Sequence, residues 1–306
     1  MVNSDLTILS VYHSRESREL LFINGELTKK LNPGINIQWL VADSTPDGLS
    51  DTAERGFTVI RGAEKHNFLP KWIRPSFQHA ESLNLLLPRI RTRFALVLDI
   101  DFFIVYPQWA REIVSHMQEA ELGFFGVPWH PIYYRKFRYF PSHHSLFIDG
   151  HKVRLDTLDF KPQYDFSLKK RPLGSFLRGI VMRERGRIGQ SRDTGYAIFS
   201  KYANGDVGYE CAVPVWETRA SFIDKLLPDR FSYLPKNSGY FSRSGFQKMG
   251  FFDVKKHQWE EFLWKEKPFG FHLRGLYRRK GTNEADFGLV RFALENFIQA
   301  KTAADL

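Results

Sequence analysis

The sequence predicts an α/β fold, a mixed and mainly parallel sheet flanked by helices. Strand-like and helix-like patterns alternate over the first hundred residues, and polar or acidic residues stand directly after the strand-like runs. A chain of 306 residues, 43% of them hydrophobic, also has the length to bury a sizeable core.

Residues 6–12 (Leu-Thr-Ile-Leu-Ser-Val-Tyr) are an apolar, β-branched run of strand length. Ser14 has the chemistry of a helix N-cap, with Glu16 in the first turn. Leu20, Leu21, Ile23, Leu27 and Leu31 then recur at helical spacing until Asn32-Pro33-Gly34 stops them. Strands are expected at 37–42, ending in Asp43-Ser44-Thr45-Pro46, and at 57–60. A helix is expected over 76–87, with His79, Leu83 and Leu86 near one face. Residues 94–98 form the most apolar strand and run directly into Asp99. A helix at 109–121 and a strand at 122–127 follow.

The pattern changes near residue 128. Residues 129–192 are rich in aromatic and basic side chains and weakly periodic. Strands are expected at 145–148, turned by Asp149-Gly150, and at 196–199. Residues 240–280 are rich in Gly, Phe, Lys and Arg. A closing helix is expected at 285–300 on Phe287, Val290, Phe292, Leu294 and Ile298.

The charged fraction of 25% is that of a folded chain, and the formal net charge of +10 favours anionic partners: phosphorylated substrates, anionic membrane or nucleic acid. The basic residues are dispersed in clusters such as Arg135-Lys136-Arg138, Lys169-Lys170-Arg171, Arg183-Arg185-Arg187 and Arg274-Arg278-Arg279-Lys280, each of which also suits a solvated face. Aromatics at 15% suit either sugar stacking or a Phe-rich core. The single Cys211 excludes an intrachain disulfide framework and a thiolate zinc site. The N-terminus lacks the pattern of a signal peptide, and no run approaches the ~20 apolar residues of a membrane span. The expectation is a cytoplasmic protein able to rest peripherally on an anionic membrane.

Asp99-Ile100-Asp101 is the sharpest feature. Carboxylates at i and i+2 diverge along a strand but converge if the chain turns, and converging carboxylates bind Mg²⁺ or Mn²⁺ with positions left for phosphate oxygens. His79-Ala80-Glu81-Ser82-Leu83-Asn84, followed by 94–98 and Asp99-Ile100-Asp101, resembles the family-2-like GT-A glycosyltransferases. Residues 6–13 and 37–45 look like the first two strands of that family's nucleotide-binding half, and the resemblance covers 6–128.

The resemblance implies a metal-dependent enzyme moving a sugar from a nucleotide-diphosphate donor to an acceptor hydroxyl. On that pattern Asp43 contacts the nucleobase, while His79 and Asn84 lie on the donor-site helix. Asp99 faces ribose or metal, and Asp101 binds metal. Residues 1–128 then form the nucleotide-sugar half, and 129–306 the acceptor-binding and closing half of one catalytic domain.

Asp193 resembles the carboxylate that serves inverting members as general base, with Glu210 and Asp165 as alternatives. Asp193-Thr194-Gly195 also reads as a simple turn. His272 looks like the C-terminal histidine that many such enzymes bring to the metal, with Arg274 near the diphosphate; His272 also fits as a packed residue. His13, His130, His143, His144 and His151 read as acceptor-region or structural. Trp129, Tyr133, Tyr134, Tyr139 and Phe140, interleaved with Arg135 and Arg138, suit a platform for a glycan or lipid-linked acceptor, or nucleic-acid stacking.

Two other readings stand beside the transferase. A sugar nucleotidyltransferase would share metal, diphosphate and core, but commonly shows a Gly-rich, Lys-containing loop that is absent after residue 12. A non-catalytic module binding RNA or an anionic surface would explain the charge, but gives Asp43, Asp99 and Asp101 no role. Nucleic acid is therefore the less expected partner.

Overall fold

The computed structural model describes residues 5–46, 53, 55–64, 67, 69, 73–131, 136, 138–163, 192–216, 257–275 and 285–304. Strand β1 (Leu6–Tyr12) is buried throughout and lies parallel to both β2 (Ile37–Asp43) and β4 (Phe94–Leu98). Strand β3 (Thr58–Arg61) continues the parallel array beyond β2. Beyond β4 one strand reverses: β7 (Ser145–Asp149) is antiparallel to β4 and to β6 (Leu122–Gly126), and β8 (Gly208–Cys211) runs parallel to β6. The sheet order is β3-β2-β1-β4-β7-β6-β8, the mixed, mainly parallel sheet the sequence predicts.

The alternation of β1 side chains decides which helix covers which face. Leu6, Ile8 and Tyr12 pack with α1 (Arg15–Leu31) and α3 (Trp109–Glu119) through Leu20, Leu27, Trp109, Ile113 and Met117. Leu9 and Val11 face α2 (Arg74–Leu86), which buries Ala80, Leu83 and Leu86. Ser14 caps α1, its Oγ accepting the Ser17 N–H at 3.2 Å. The closing helix α5 (Phe287–Ala304) sets Val290, Ala293 and Phe297 into the first face, and Arg291 pairs with Glu19 and Glu26 of α1. Much of the aromatic surplus is core: Phe102, Phe103, Phe124, Phe125, Phe147 and Phe262 are all fully buried.

One expected strand is a helix. Residues 196–199 open α4 (Tyr196–Tyr202). Gly195, at φ +78, turns the chain and donates its N–H to the Phe160 carbonyl at 2.9 Å. From there Ile198 and Tyr202 are buried four residues apart, a helical spacing that the run 196–199 is too short to display.

A second sheet was not foreseen. Strand β5 (Phe102–Ile104) pairs antiparallel with β11 (Lys267–His272), which pairs with β10 (Glu260–Trp264), and β10 with β9 (Val213–Pro214). Pro268 and Gly270 inside β11 argue against a strand in the sequence. Gly270 has a positive reason: a Cβ there would lie 2.6 Å from the Phe103 carbonyl oxygen and 2.8 Å from the Phe102 ring. Among the described residues, no helix is long and apolar enough to cross a membrane.

Candidate active site

The strand β4 ends where the chain turns. The Asp99 N–H donates to the His144 carbonyl at 3.0 Å, and the Asp99 carbonyl accepts from Phe102 N–H at 3.0 Å. Asp99 and Asp101 therefore both open into one cleft, beyond the carboxyl end of β4, where open α/β sheets bind ligands. His13, His79, Trp129, Lys136, His143, His144, Asp193, His272 and Arg274 share its walls.

The β5–β11 pairing sets His272 opposite Phe102, next to Asp101. The Leu273 N–H donates to the Asp101 carbonyl at 2.9 Å, and His272 Nε2 sits 3.2 Å from Asp101 Oδ1. Arg274 and Gly275, at φ 47 and 69, fold the backbone back so that the Gly275 N–H donates to Asp101 Oδ2 at 3.0 Å. A left-handed non-glycine residue costs roughly 1–2 kcal/mol, and here it closes a site. Glu260, opposite His272 on β10, stands 3.3 Å from His272 Nδ1 and pairs with Arg274 Nε.

The electrostatics follow from that enclosure. Burial opposes a charge on His272, but Asp101 and Glu260 on its two nitrogens raise it to about 9. Burial also opposes ionisation of Glu260, yet Arg274 and His272 hold it at about 2. Asp99 stays well below the usual carboxylate range despite its burial, through the hydrogen bond from His79 and the charge of His272. His143, pushed to about 3 by burial, and His144, also lowered by burial, are neutral imidazoles.

These donors fit a divalent cation. Asp99, His144 and His272 offer three ligand atoms within 4.8 Å of one another, as do His79, Asp99 and His143. Imidazole beside carboxylate suits Mn²⁺ and the later transition ions better than Mg²⁺. Asp101 is not in either group; its oxygens engage His272 and Gly275.

The remaining predicted residues are placed as follows. Asp193 lines the same cleft, ion-paired to Lys136, with Oδ1 accepting the Thr194 N–H at 2.8 Å. Arg274 lies 4.3 Å from the Trp129 ring centre and donates to His144 Nε2 at 2.9 Å. Asp43 is buried at the end of β2, where Oδ1 accepts from the Thr45 N–H at 2.8 Å and hydroxyl at 2.6 Å. Asn84 is not brought to the cleft. Its amide donates to Asp159 at 2.6 Å and its carbonyl accepts from Phe160 N–H at 3.0 Å, so it fastens the 159–160 segment to α2. Glu210 pairs with His116 at 2.8 Å, away from the cleft. Phe140 is core, packed on Phe124 and Tyr209, and Arg138 is buried against Phe199 and Tyr196.

Asp165, Tyr133, Tyr134, Arg135, Lys169-Lys170-Arg171, Arg183-Arg185-Arg187, Arg278-Arg279-Lys280 and the 240–256 part of the Gly-rich stretch lie outside the described residues.

No family model matches the chain, and no curated protein matches it. Solved structures similar to part of it include the galactosyltransferase LgtC in complex with donor and acceptor sugar analogues, at 13% identity over 66% of this chain and 72% of that one, TM-score 0.40. The mannosyltransferase PcManGT from Pyrobaculum calidifontis, in complex with GDP-Man and Mn²⁺, is similar at 11% identity over 52% of this chain, TM-score 0.38. Mannosyl-3-phosphoglycerate synthase from Rubrobacter xylanophilus is similar at 16% identity over 49% of this chain, TM-score 0.33. The chain spans 48% of the length of the mannosyltransferase and 55% of that of the synthase. These are partial overlaps.

Read from the sequence, Glu260 has no role, and His13, His143 and His144 are acceptor-region or structural. His13 follows β1 directly, a strand-end polar residue like Asp43 and Asp99. His143-His144 precede the apolar run of β7, and that strand's antiparallel course carries them to the carboxyl end of β4. Nothing in the sequence marks Glu260, which depends on the β10–β11 hairpin.

Proposed function

We propose that this chain is a metal-dependent glycosyltransferase of the GT-A type, moving a sugar from a nucleotide-diphosphate donor to an acceptor hydroxyl with inversion. One observation carries the reading: a strand-end Asp-Ile-Asp turn meets a histidine 171 residues away, at 3.2 Å, in a cleft also lined by the buried carboxylate of Asp193 and the basic side chains of Lys136 and Arg274.

In this reading Asp99 and His272 would hold the cation, and Asp101 shares His272 and anchors the 273–275 turn. Arg274 and Lys136 face the donor phosphates, the guanidinium by its fork and the ammonium as a point charge. His79 braces Asp99, and Asp43 stays on the donor side at the end of β2. Asn84 is left out of the donor contacts because both ends of its amide are engaged elsewhere. A cation bound there would supply charge neutralisation to the departing diphosphate.

Asp193 is the base. It takes the acceptor O–H proton while that oxygen bonds to the anomeric carbon; the bond to the distal phosphate oxygen breaks, and the diphosphate leaves with the electron pair. Lys136 pairs with Asp193 and positions its carboxylate in the cleft. The net charge of +10 favours a phosphate-bearing or lipid-linked glycan acceptor and peripheral contact with an anionic membrane.

A thermal-shift screen of nucleoside-diphosphate sugars with and without Mn²⁺ tests the donor. A ligand at a hundred times its Kd adds about 2.7 kcal/mol to the native state. No metal-dependent shift with any donor would remove the reading. Transfer of a nucleotidyl group would convert it to the alternative enzyme class. A product that keeps the donor's anomeric configuration would overturn Asp193 as the base of a single displacement.

A further inference from the structure

We infer that the cleft holds a second divalent cation, bound by His79, Asp99 and His143. This goes beyond the single metal of the proposed function but rests on that reading for Asp99 as a metal ligand.

Three elements converge to make the site: His79 from α2, Asp99 from the end of β4 and His143 from the segment before β7. Their ligand atoms lie within 4.8 Å of one another. His79 Nε2 is 3.3 Å from Asp99 Oδ1, and the His79 and His143 ring centres are 5.5 Å apart. His143 is 8% exposed, and its Nδ1 meets no hydrogen-bond partner among the described residues. A buried polar nitrogen left unmatched costs free energy, and a metal bond is what a neutral imidazole can make there.

His79 is oriented for the role. Its Nδ1 lies 3.4 Å from His13 Nε2, a contact that turns Nε2 toward Asp99, in the way that a partner on the second nitrogen fixes a metal-bound imidazole. The Trp129 edge packs against His143 with ring centres 5.6 Å apart and holds it in place. In the other group, by contrast, His144 Nε2 already accepts from Arg274. Two imidazoles and one carboxylate favour a borderline ion such as Mn²⁺, Co²⁺ or Zn²⁺ over Mg²⁺. Asp99 belongs to both groups, so it would be a ligand common to the two ions.

The test is metal stoichiometry in the whole chain, read by native mass spectrometry and by Co²⁺ absorption during titration, without substrate. The expected result is two ions per wild-type chain. One ion is expected in His143→Gln, and in His79→Gln, which is less buried and serves should the first variant not fold. Asp99→Asn is expected to bind neither ion tightly. A wild-type stoichiometry below two, or two ions retained in His79→Gln/His143→Gln, overturns the inference. One ion with metal-dependent donor hydrolysis would sink the second site and leave the glycosyltransferase standing. Two ions without donor binding would do the reverse.

Discussion

Metal binding at His272 should expel a proton. In the metal-free protein His272 titrates at about 9, because Asp101 lies 3.2 Å from one nitrogen and Glu260 3.3 Å from the other. At pH 7 it is therefore about 99% imidazolium by a two-unit gap. A ring that binds a cation through Nε2 must first be neutral. The other donors of its group contribute nothing: Asp99 is already ionised, and His144 is already neutral. At pH 7 the His272 site should release about one proton per ion. Its affinity should rise about tenfold per pH unit from pH 7 and flatten above about 9. Across those two units the change is about 100-fold, or about 2.7 kcal/mol. Calorimetric titration with Co²⁺ or Mn²⁺ in two buffers of different ionisation enthalpy counts the protons. The difference between wild type and His272→Gln isolates this site from any other. A difference near zero, or an affinity flat between pH 6.5 and 8, would refute His272 as a ligand that starts protonated.

Further outcomes follow from the same geometry. Because the folded-state value of His272 is raised, its contribution to stability is complete below about 6.5 and is lost as pH rises through about 9. The metal-free protein should accordingly lose stability in urea melts over that window. Asp101→Asn should loosen the 273–275 turn and weaken donor binding, read by thermal shift, while the fold persists; unchanged donor binding would sink the anchoring role given to Asp101. Asp193→Asn should lower turnover by about 10²–10⁴-fold with donor affinity retained, and a loss of donor affinity instead would make Asp193 a binding residue. Gly270→Ala should cost about 1–3 kcal/mol in urea unfolding, since its Cβ meets the Phe103 carbonyl oxygen at 2.6 Å. A neutral result would mean that β5 and β11 shift freely.

The legible part of the fold is the part in which local pattern and tertiary role agree. Strands β1, β2 and β4 are parallel and buried on both faces, so they read as continuous apolar runs. Helix α1 carries its stop signal in Asn32-Pro33-Gly34 and its cap in Ser14. The short strands β5, β8 and β9 have two to four residues each, too few for a period to show. Strand β11 hides behind Pro268 and Gly270, the second of which exists only because another strand passes at contact distance.

The site divides along the same line, with a consequence for its chemistry. Asp99 and Asp101 announce themselves because strand and turn are adjacent in sequence. The side chains that distinguish this site come from elsewhere: His79 from a helix, His143-His144 from just before the reversed strand, His272 and its partner Glu260 from the second sheet. Each reaches Asp99 or Asp101 through pairings between residues far apart in the chain. A carboxylate pair alone suggests a hard, oxygen-bound ion. Four imidazoles around it shift the preference toward Mn²⁺ and its neighbours, and they surround Asp99 more closely than Asp101. On the proposed function the first carboxylate of the triplet is thus the metal ligand, while the second holds His272 and the backbone turn at Gly275 in register.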